Sequence, residues 1–337
     1  MPPRVQGSDV SVQGTNDDAQ ISKLSCVNLG YFRDDFVKYF VAKPSRRSPL
    51  INRGYYSRVA ALQELVGQFL CIGESEGESA RAGRQVLSLG AGFDTLFFML
   101  QSAGWAPGRY FEVDFDVVTR KKAAIIDATP ALCDLVGDDR SVDKESGRVE
   151  SSRYCLFPAD LRDLPALQKS LVDLGFDFSL PTLVLSECVL VYMDPRYSQP
   201  IVQWAGAELP DAVFVIYEQI HPEDAFGQQM LINLESRGCP LKGIQSTPSL
   251  EAQKHRFISS GWQKAEAFSM DAIYRDFLPK QDLRRIEKLE IFDEFEEWHM
   301  IQEHYCITYG VNDSKGFFKK FGFRKTPEDG NQLPNAD

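Results

Sequence analysis

The 337-residue sequence predicts a doubly wound α/β fold with a largely parallel sheet. Three observations carry that expectation. Apolar strand-like runs alternate with helical patterns between about residues 85 and 220. The first of these runs ends in a glycine turn, 86-VLSLGAGFDTLFFML-100. The runs themselves, such as 182-TLVLSECVLVY-192, are apolar without strict alternation, as befits strands covered on both faces. In such folds the ligand lies at the carboxyl ends of the strands.

Taken in order, residues 1–19 are polar and rich in Gly, Ser and Asp, and are expected to be disordered. From Gln20 the periodicity turns helical, through Ile21, Leu24, Val27 and Leu29 and then Phe36, Tyr39 and Phe40. A longer helix is expected over Asn52–Cys71, with Val59, Leu62, Leu65, Val66 and Phe69 on one side. These elements form a helical front, 20–72, set off by the connector 73-GESEGESARAG-83. Strands follow at Gln85–Gly90, Tyr110–Phe115, Arg153–Asp160, Thr182–Tyr192 and Ala212–Ile220. The helices between them are Asp94–Ala103, Asp116–Ile126, Leu161–Leu174 and Pro195–Glu208. After Pro222 come helices at 223–236, 250–260 and 281–299, with late strands Ala265–Met270 and His304–Gly310 that suggest an antiparallel hairpin. No internal repeat is visible, and a polar, frayed tail is expected from Thr326 within a terminal segment 312–337.

Composition narrows the function. A net charge of −11 and short, scattered basic pairs argue against a phosphate-backbone partner, which needs clustered Lys and Arg. Seven dispersed cysteines with no Cys-x-x-Cys suit a reducing compartment, and no apolar run reaches the roughly 18 residues of a membrane helix. A cytoplasmic (also nuclear) monomer without nucleic-acid or membrane partners is the expectation. The four histidines, His221, His255, His299 and His304, lack metal-ligand spacing, and no Gly-x-Ser-x-Gly elbow is present.

The glycine turn asks which nucleotide-like ligand it serves. A dinucleotide loop needs a third glycine where helix and strand pack closely, and Thr95 occupies that position. Acidic residues mark the neighbouring strand ends: Asp114 in 110-YFEVDF-115, Asp160 in 153-RYCLFPAD-160 and Glu187 in 184-VLSECVLVYM-193. Asp114 stands where a carboxylate accepts both ribose hydroxyls. Strand-end carboxylates also serve as helix N-caps, and Asp160 before 161-LRDLPAL-167 suits that role equally. A negative pocket floor favours S-adenosylmethionine, with its sulfonium, ammonium and ribose, over a diphosphate. Its carboxylate requires cations, and the helical front offers Lys23, Arg53 and Arg58, although each is also an ordinary exposed helix residue in composition.

The strings 51-INRGYYSRV-59, 87-LSLGAGFDT-95, 110-YFEVDF-115, 159-ADLRDL-164, 187-ECVLVYM-193 and 217-YEQI-220 together resemble the leucine carboxyl methyltransferases, in order from about Lys23 to Tyr309. That resemblance implies a class I S-adenosylmethionine-dependent methyltransferase fold over about 85–311: a seven-stranded, mostly parallel sheet with an N-terminal helical cap and an inserted helical lid near 223–260. It implies methylation of the C-terminal leucine carboxylate of the type 2A protein phosphatase catalytic subunit. It further implies that Lys23, Arg58, Gly90, Asp114, Asp160, Leu161 and Glu187 bind the cofactor. Lys23 and Arg58 would hold the methionine end, Asp114 the ribose, Asp160 and the Leu161 backbone the adenine, and Glu187 the aminoacyl part. Arg58 would also link donor and acceptor, with Tyr192 as a hydroxyl contact to the substrate. Segment 129–152 matches no part of the family pattern.

Three rivals stand beside this reading. A tRNA-modifying relative carries a similar domain joined to a large repeat domain, and this acidic chain is too short for that. A small-molecule O-methyltransferase and a non-catalytic S-adenosylmethionine-binding protein are the others.

Overall fold

The computed structural model describes residues 7–71 and 81–325. Nine strands form one sheet in the order β3-β4-β5-β2-β1-β6-β7-β9-β8. They are β1 (Gln85–Leu89), β2 (Arg109–Asp114), β3 (Ser141–Asp143), β4 (Arg148–Glu150), β5 (Tyr154–Pro158), β6 (Thr182–Glu187), β7 (Asp211–Gln219), β8 (Lys264–Ser269) and β9 (Tyr305–Asp313). β5, β2, β1, β6 and β7 are mutually parallel; β9 runs antiparallel between β7 and β8. All seven expected strands are present, but the sheet has nine, not seven. The two extra strands form the hairpin β3–β4, antiparallel to the outer edge of β5. They arise from the unassigned 137-GDDRSVDKESGRVE-150, whose three-residue strands are too short and polar to show a period. Val149 is the one buried side chain of its two strands.

Twelve helices are described: α1 (Gly7–Leu29), α2 (Pro49–Leu70), α3 (Leu96–Ser102), α4 (Asp116–Ala128), α5 (Pro130–Val136), α6 (Leu164–Asp173), α7 (Pro195–Glu208), α8 (Ala225–Ser236), α9 (Leu250–Ile258), α10 (Met270–Asp276), α11 (Lys280–Ile286) and α12 (Phe295–Glu303). They sandwich the sheet. One face packs Leu65, Phe69, Phe97, Phe98 and Ile126 onto Val86, Tyr110, Leu185, Val215 and Ile307. The other packs Leu167, Leu171, Ile201, Val202 and Phe257 onto Leu87, Phe111, Val184, Phe214 and Ile216. Alternate residues of each strand therefore serve opposite cores, which is why the strand sequences read as unbroken apolar runs.

Three expectations are corrected. The disorder expected over 1–19 does not hold for 7–19: α1 begins at Gly7, and its first half makes polar contacts through Asp9, Asn16 and Asp18 instead of forming an apolar stripe, while residues 1–6 lie outside the described residues. The fourth strand stops at Glu187, because Cys188 turns the chain with φ +55° and Leu190–Tyr192 form a 3-10 turn. The helix expected over 281–299 is two, α11 and α12, separated by 287–294. Within the terminal segment, β9 extends to Asp313, and Phe318 and Phe321 are buried in the core. Residues 326–337, where fraying was expected, lie outside the described residues, as does 73–80 of the connector.

Candidate active site

Register aligns the site before any side chain is considered. Leu89 pairs with Val113 on one side and Ser186 on the other. Gly90, Asp114 and Glu187 therefore leave the sheet at one level. Glu187 in turn pairs with Tyr217. Because partners in a parallel ladder face the same way, both side chains project to the face covered by α2. Above these strand ends opens a cavity of about 1530 Å³, lined by α1, the glycine turn, α2 and the segment around α8.

The glycine turn leaves no room for side chains. Gly90 (φ +62°) would place a Cβ 2.6 Å from Val189 Cγ2, and Gly92 (φ +54°) would place one 2.5 Å from Asn16 Oδ1. Both are in the left-handed region, which glycine adopts without penalty. The turn is pinned at each step. Gly92 N–H donates to Asp114 Oδ2 (2.7 Å), and Phe93 N–H to Asn16 Oδ1 (2.8 Å). Lys122 Nζ donates to the Asp94 carbonyl (2.7 Å), while the Thr95 hydroxyl donates to Asp34 (2.5 Å). Thr95 is fully buried, so it takes the place of a third glycine by engaging a partner.

Asp114 also accepts the Phe115 N–H at 2.7 Å. It does not cap α4, whose N-cap is Phe115. Each carboxylate oxygen receives one backbone N–H and keeps lone pairs for a diol. Burial nonetheless holds the carboxyl above its ordinary pKa. Asp160 is not a cap either: Asp163 caps α6, accepting from Ala166 N–H. Asp160 instead receives Arg162 through Nε (2.9 and 3.0 Å) and Nη2 (2.7 Å), and Arg162 reaches on to Asp9 of α1 (3.1 and 3.2 Å). Leu161 is buried in the core and lines the cavity beside them.

The cations come from the helical front. Arg58 of α2 grips Glu187 Oε2 with both Nε and Nη2 at 2.8 Å, and its guanidinium lies 4.5 Å from the Tyr217 ring centroid. Burial disfavours its charge, but Glu187 together with Cys188, Tyr217 and Tyr55 more than offsets burial and holds it well above the usual arginine value. Lys23 Nζ is 2.7 Å from Asp94 Oδ1. Arg53, the other sequence candidate, does not join the site; it stacks on Phe292 at 3.9 Å.

Beyond the strand ends the cavity is lined by Tyr192, Met193, Tyr197, Leu234 and Cys239, with Tyr305 at the start of β9 on its floor. Leu241 and Ile244 pack with Val191, Met230, Leu231 and Leu234 to hold this wall together. The overhang runs from α8 to about Ser249, whereas α9 belongs to the sheet sandwich through Phe257. Burial keeps the Tyr192 phenol far above its ordinary pKa, and pushes the Cys188 thiol up to about 12. Cys188 is thus held as a thiol, a poor nucleophile. No described histidine lines the cavity. Among the described residues no His, Cys, Asp and Glu cluster could hold a metal ion.

Four contributors went unnoticed at sequence level: Asp9, Asn16, Asp94 and Arg162. Asp94 and Arg162 lie inside the strings 87-LSLGAGFDT-95 and 159-ADLRDL-164, so the signal was present. Asp9 and Asn16 sit in a stretch whose composition alone points to disorder.

A family model described as leucine carboxyl methyltransferase matches residues 17–206, more than half of the chain. The chain belongs to the leucine carboxyl methyltransferase family. It is 52% identical to a leucine carboxyl methyltransferase 1 homolog of Arabidopsis thaliana over 94% of this chain and 93% of that protein. It is 38% identical to leucine carboxyl methyltransferase 1 of Bos taurus, covering 90% of each. It is also 44% identical to tRNA wybutosine-synthesizing protein 4 of Homo sapiens, over 88% of this chain but only 43% of that protein. This leucine carboxyl methyltransferase is accordingly an S-adenosylmethionine-dependent enzyme.

Proposed function

We propose that this enzyme esterifies the α-carboxylate of the C-terminal leucine of a type 2A protein phosphatase catalytic subunit. The observation that carries the reading is the Arg58–Glu187 pair, set between the strand-end cradle and the outer chamber of one cavity. The residues present fit the donor. Two positive-φ glycines keep the cradle floor clear, Asp114 offers free lone pairs to a ribose, and Asp160 with the Leu161 backbone borders the adenine position. Lys23 meets the carboxylate end, and Arg58 and Glu187 stand beside the aminoacyl part. Bound there, S-adenosylmethionine supplies an electrophilic methyl on a sulfonium.

The acceptor needs no general base, since an α-carboxyl with a reference pKa of about 3.5 is ionised at neutral pH. What the chain must do is bring the carboxylate oxygen in line with the methyl–sulfur bond, and such alignment is worth effective molarities of about 10⁵ M or more. Arg58 suits the task. Glu187 already neutralises it and occupies its Nε and Nη2, so its remaining donors can orient a carboxylate without quenching it as a bare cation would. The Tyr217 face below fixes the plane of the guanidinium. The chamber lined by Tyr192, Leu234 and Cys239 is the expected seat of the peptide end, with the Tyr192 hydroxyl as a contact.

The test supplies methyl-labelled S-adenosylmethionine to three acceptors: the intact phosphatase subunit, the subunit lacking its terminal leucine, and tRNA. Alkali-labile label on the intact subunit alone is expected. Label on tRNA instead would move this chain to the activity named for the human wybutosine-synthesizing relative. Label on the truncated subunit would displace leucine as the acceptor.

A further inference from the structure

Lys23 is anchored by a residue that the cofactor reading leaves idle. Its Nζ lies 2.7 Å from Asp94 Oδ1, with both side chains largely buried at the cavity wall. Asp94 is not there as a helix cap, because Thr95 is the N-cap of α3 and the Asp94 Oδ2 contact to Leu96 N–H is long at 3.4 Å. Its backbone is fixed from below. Lys122 donates to the Asp94 carbonyl and is itself held by Glu112 Oε2 at 2.5 Å, both wholly buried; Glu112 also accepts from the Tyr154 hydroxyl at 2.6 Å. A braced carboxylate of this kind, aimed at the one lysine that α1 contributes beside the cradle, has the geometry of a fixed counter-ion.

We propose that Asp94 is a positioning residue of the donor site: its carboxylate holds the Lys23 ammonium, as counter-ion, at the carboxylate end of S-adenosylmethionine. That Lys23 meets this end of the donor, as proposed above, is the premise. The electrostatics agree. Burial disfavours the Lys23 charge, the Asp94 and Glu187 carboxylates restore it, Arg58 opposes it, and the lysine is left above its ordinary pKa. Asp34 and Tyr55 also face this ammonium. On the far side Asp94 faces Lys122, Glu112 and Tyr110. Without Asp94, the described carboxylates that still face Lys23 are Glu187 and Asp34, set against burial and Arg58. Buried lysines lacking sufficient compensation titrate up to ~3–5 units low.

The sign follows. In the native protein the ammonium stays charged through neutral and mildly alkaline pH; in Asp94→Asn it loses its proton as pH rises, and the ligand's carboxylate loses its partner. The experiment measures S-adenosylhomocysteine affinity by calorimetry from pH 6 to 9. That probe has the same carboxylate end and no alkali-sensitive sulfonium. Taking the variant-to-native ratio at each pH cancels the ligand's own titration. For Asp94→Asn the ratio is expected to be within about threefold at pH 6 and to widen to about tenfold or more at pH 9. Lys23→Met is expected to weaken binding at every pH with a flat ratio, and Lys23→Met/Asp94→Asn to match Lys23→Met, because Asp94 acts through the lysine. A pH-independent Asp94→Asn ratio, or an additive double variant, overturns the proposal.

Native binding by Lys23→Met would instead defeat the premise, so the two failures are told apart. If Asp94→Asn does not fold, nitrogen-labelled lysine spectroscopy on the unmutated enzyme decides. A Lys23 midpoint above the ordinary lysine value of about 10.4 supports the counter-ion, and a midpoint at or below that value refutes it.

Discussion

At the scale of single residues, the site depends on pairs whose members restrain one another. Arg58 touches Glu187 with two donors, a fork that lysine cannot reproduce. Arg58→Lys should therefore lose turnover at saturating donor nearly as completely as Arg58→Ala, by about a hundredfold or more, the scale of losing an aimed electrostatic contact. Steady-state kinetics with the phosphatase acceptor checks this; a Lys variant with native turnover would show that charge alone suffices. Since the acceptor carboxylate is ionised far below neutrality, the turnover number should be flat between about pH 6 and 8. A rising acid limb in that window would reveal a titrating general base, a role that no described histidine is placed in the cavity to fill. Gly90→Ala should weaken donor binding, because the Cβ strains a φ of +62° and meets Val189 at 2.6 Å. Trimming Val189 to Ala in the same chain should restore only part of the loss, since the backbone penalty of about 1–2 kcal/mol remains.

At the scale of elements, α1 is the member whose role was least legible. It spans the cavity mouth. Asp9 meets Arg162, Gly238 lies so near Ser11 that a Cβ there would sit 2.6 Å from its hydroxyl, Asn16 holds the glycine turn, Asp18 pairs with Arg47, and Lys23 meets Asp94. A donor seated in the cradle lies under this helix. Arg162→Ala, which cuts the bond to α1 while leaving the sheet intact, is expected to speed release of S-adenosylhomocysteine several-fold in stopped-flow measurements with little change in melting temperature. Unchanged release would mean that α1 is not the gate. The sequence concealed this because the first half of α1, whose work is polar contact, carries no apolar period before Gln20, and composition there reads as disorder. The β3–β4 hairpin was hidden for a related reason, as three-residue strands with one buried side chain cannot display alternation. By contrast Asp114, Asp160 and Glu187 were legible, since parallel register places strand-end residues at one level. The cations were legible only through family likeness, because nothing in 51-INRGYYSRV-59 distinguishes a site arginine from a surface one.

At the scale of the whole molecule, the two helical layers are tied to the sheet by buried ion pairs on opposite faces. Lys122 joins α4 to Glu112 of β2; Arg256 joins α9 to Glu218 of β7 at 3.3 Å, with Gln253 on the same carboxylate. Breaking such a pair from one side strands a buried charge. Arg256→Met should therefore cost about 3–5 kcal/mol in urea unfolding, and Glu218→Leu/Arg256→Met should recover much of it. A single variant within 1 kcal/mol of native would show that the pair is dispensable. The division of labour is then plain: one core and its ion pair hold the scaffold, and the face carrying Glu187, Tyr217 and Asp114 presents the chemistry.

The central claim is a methyl transferred to an already ionised peptide terminus, aligned by Arg58. Mass spectrometry of the phosphatase's C-terminal peptide, after incubation with S-adenosylmethionine and this enzyme, tests it most directly. A single alkali-labile methyl on the terminal leucine carboxylate, lost with Arg58→Ala at saturating donor, is expected. A methyl on any other group, or an Arg58→Ala enzyme that esterifies leucine at the native rate, would contradict the account.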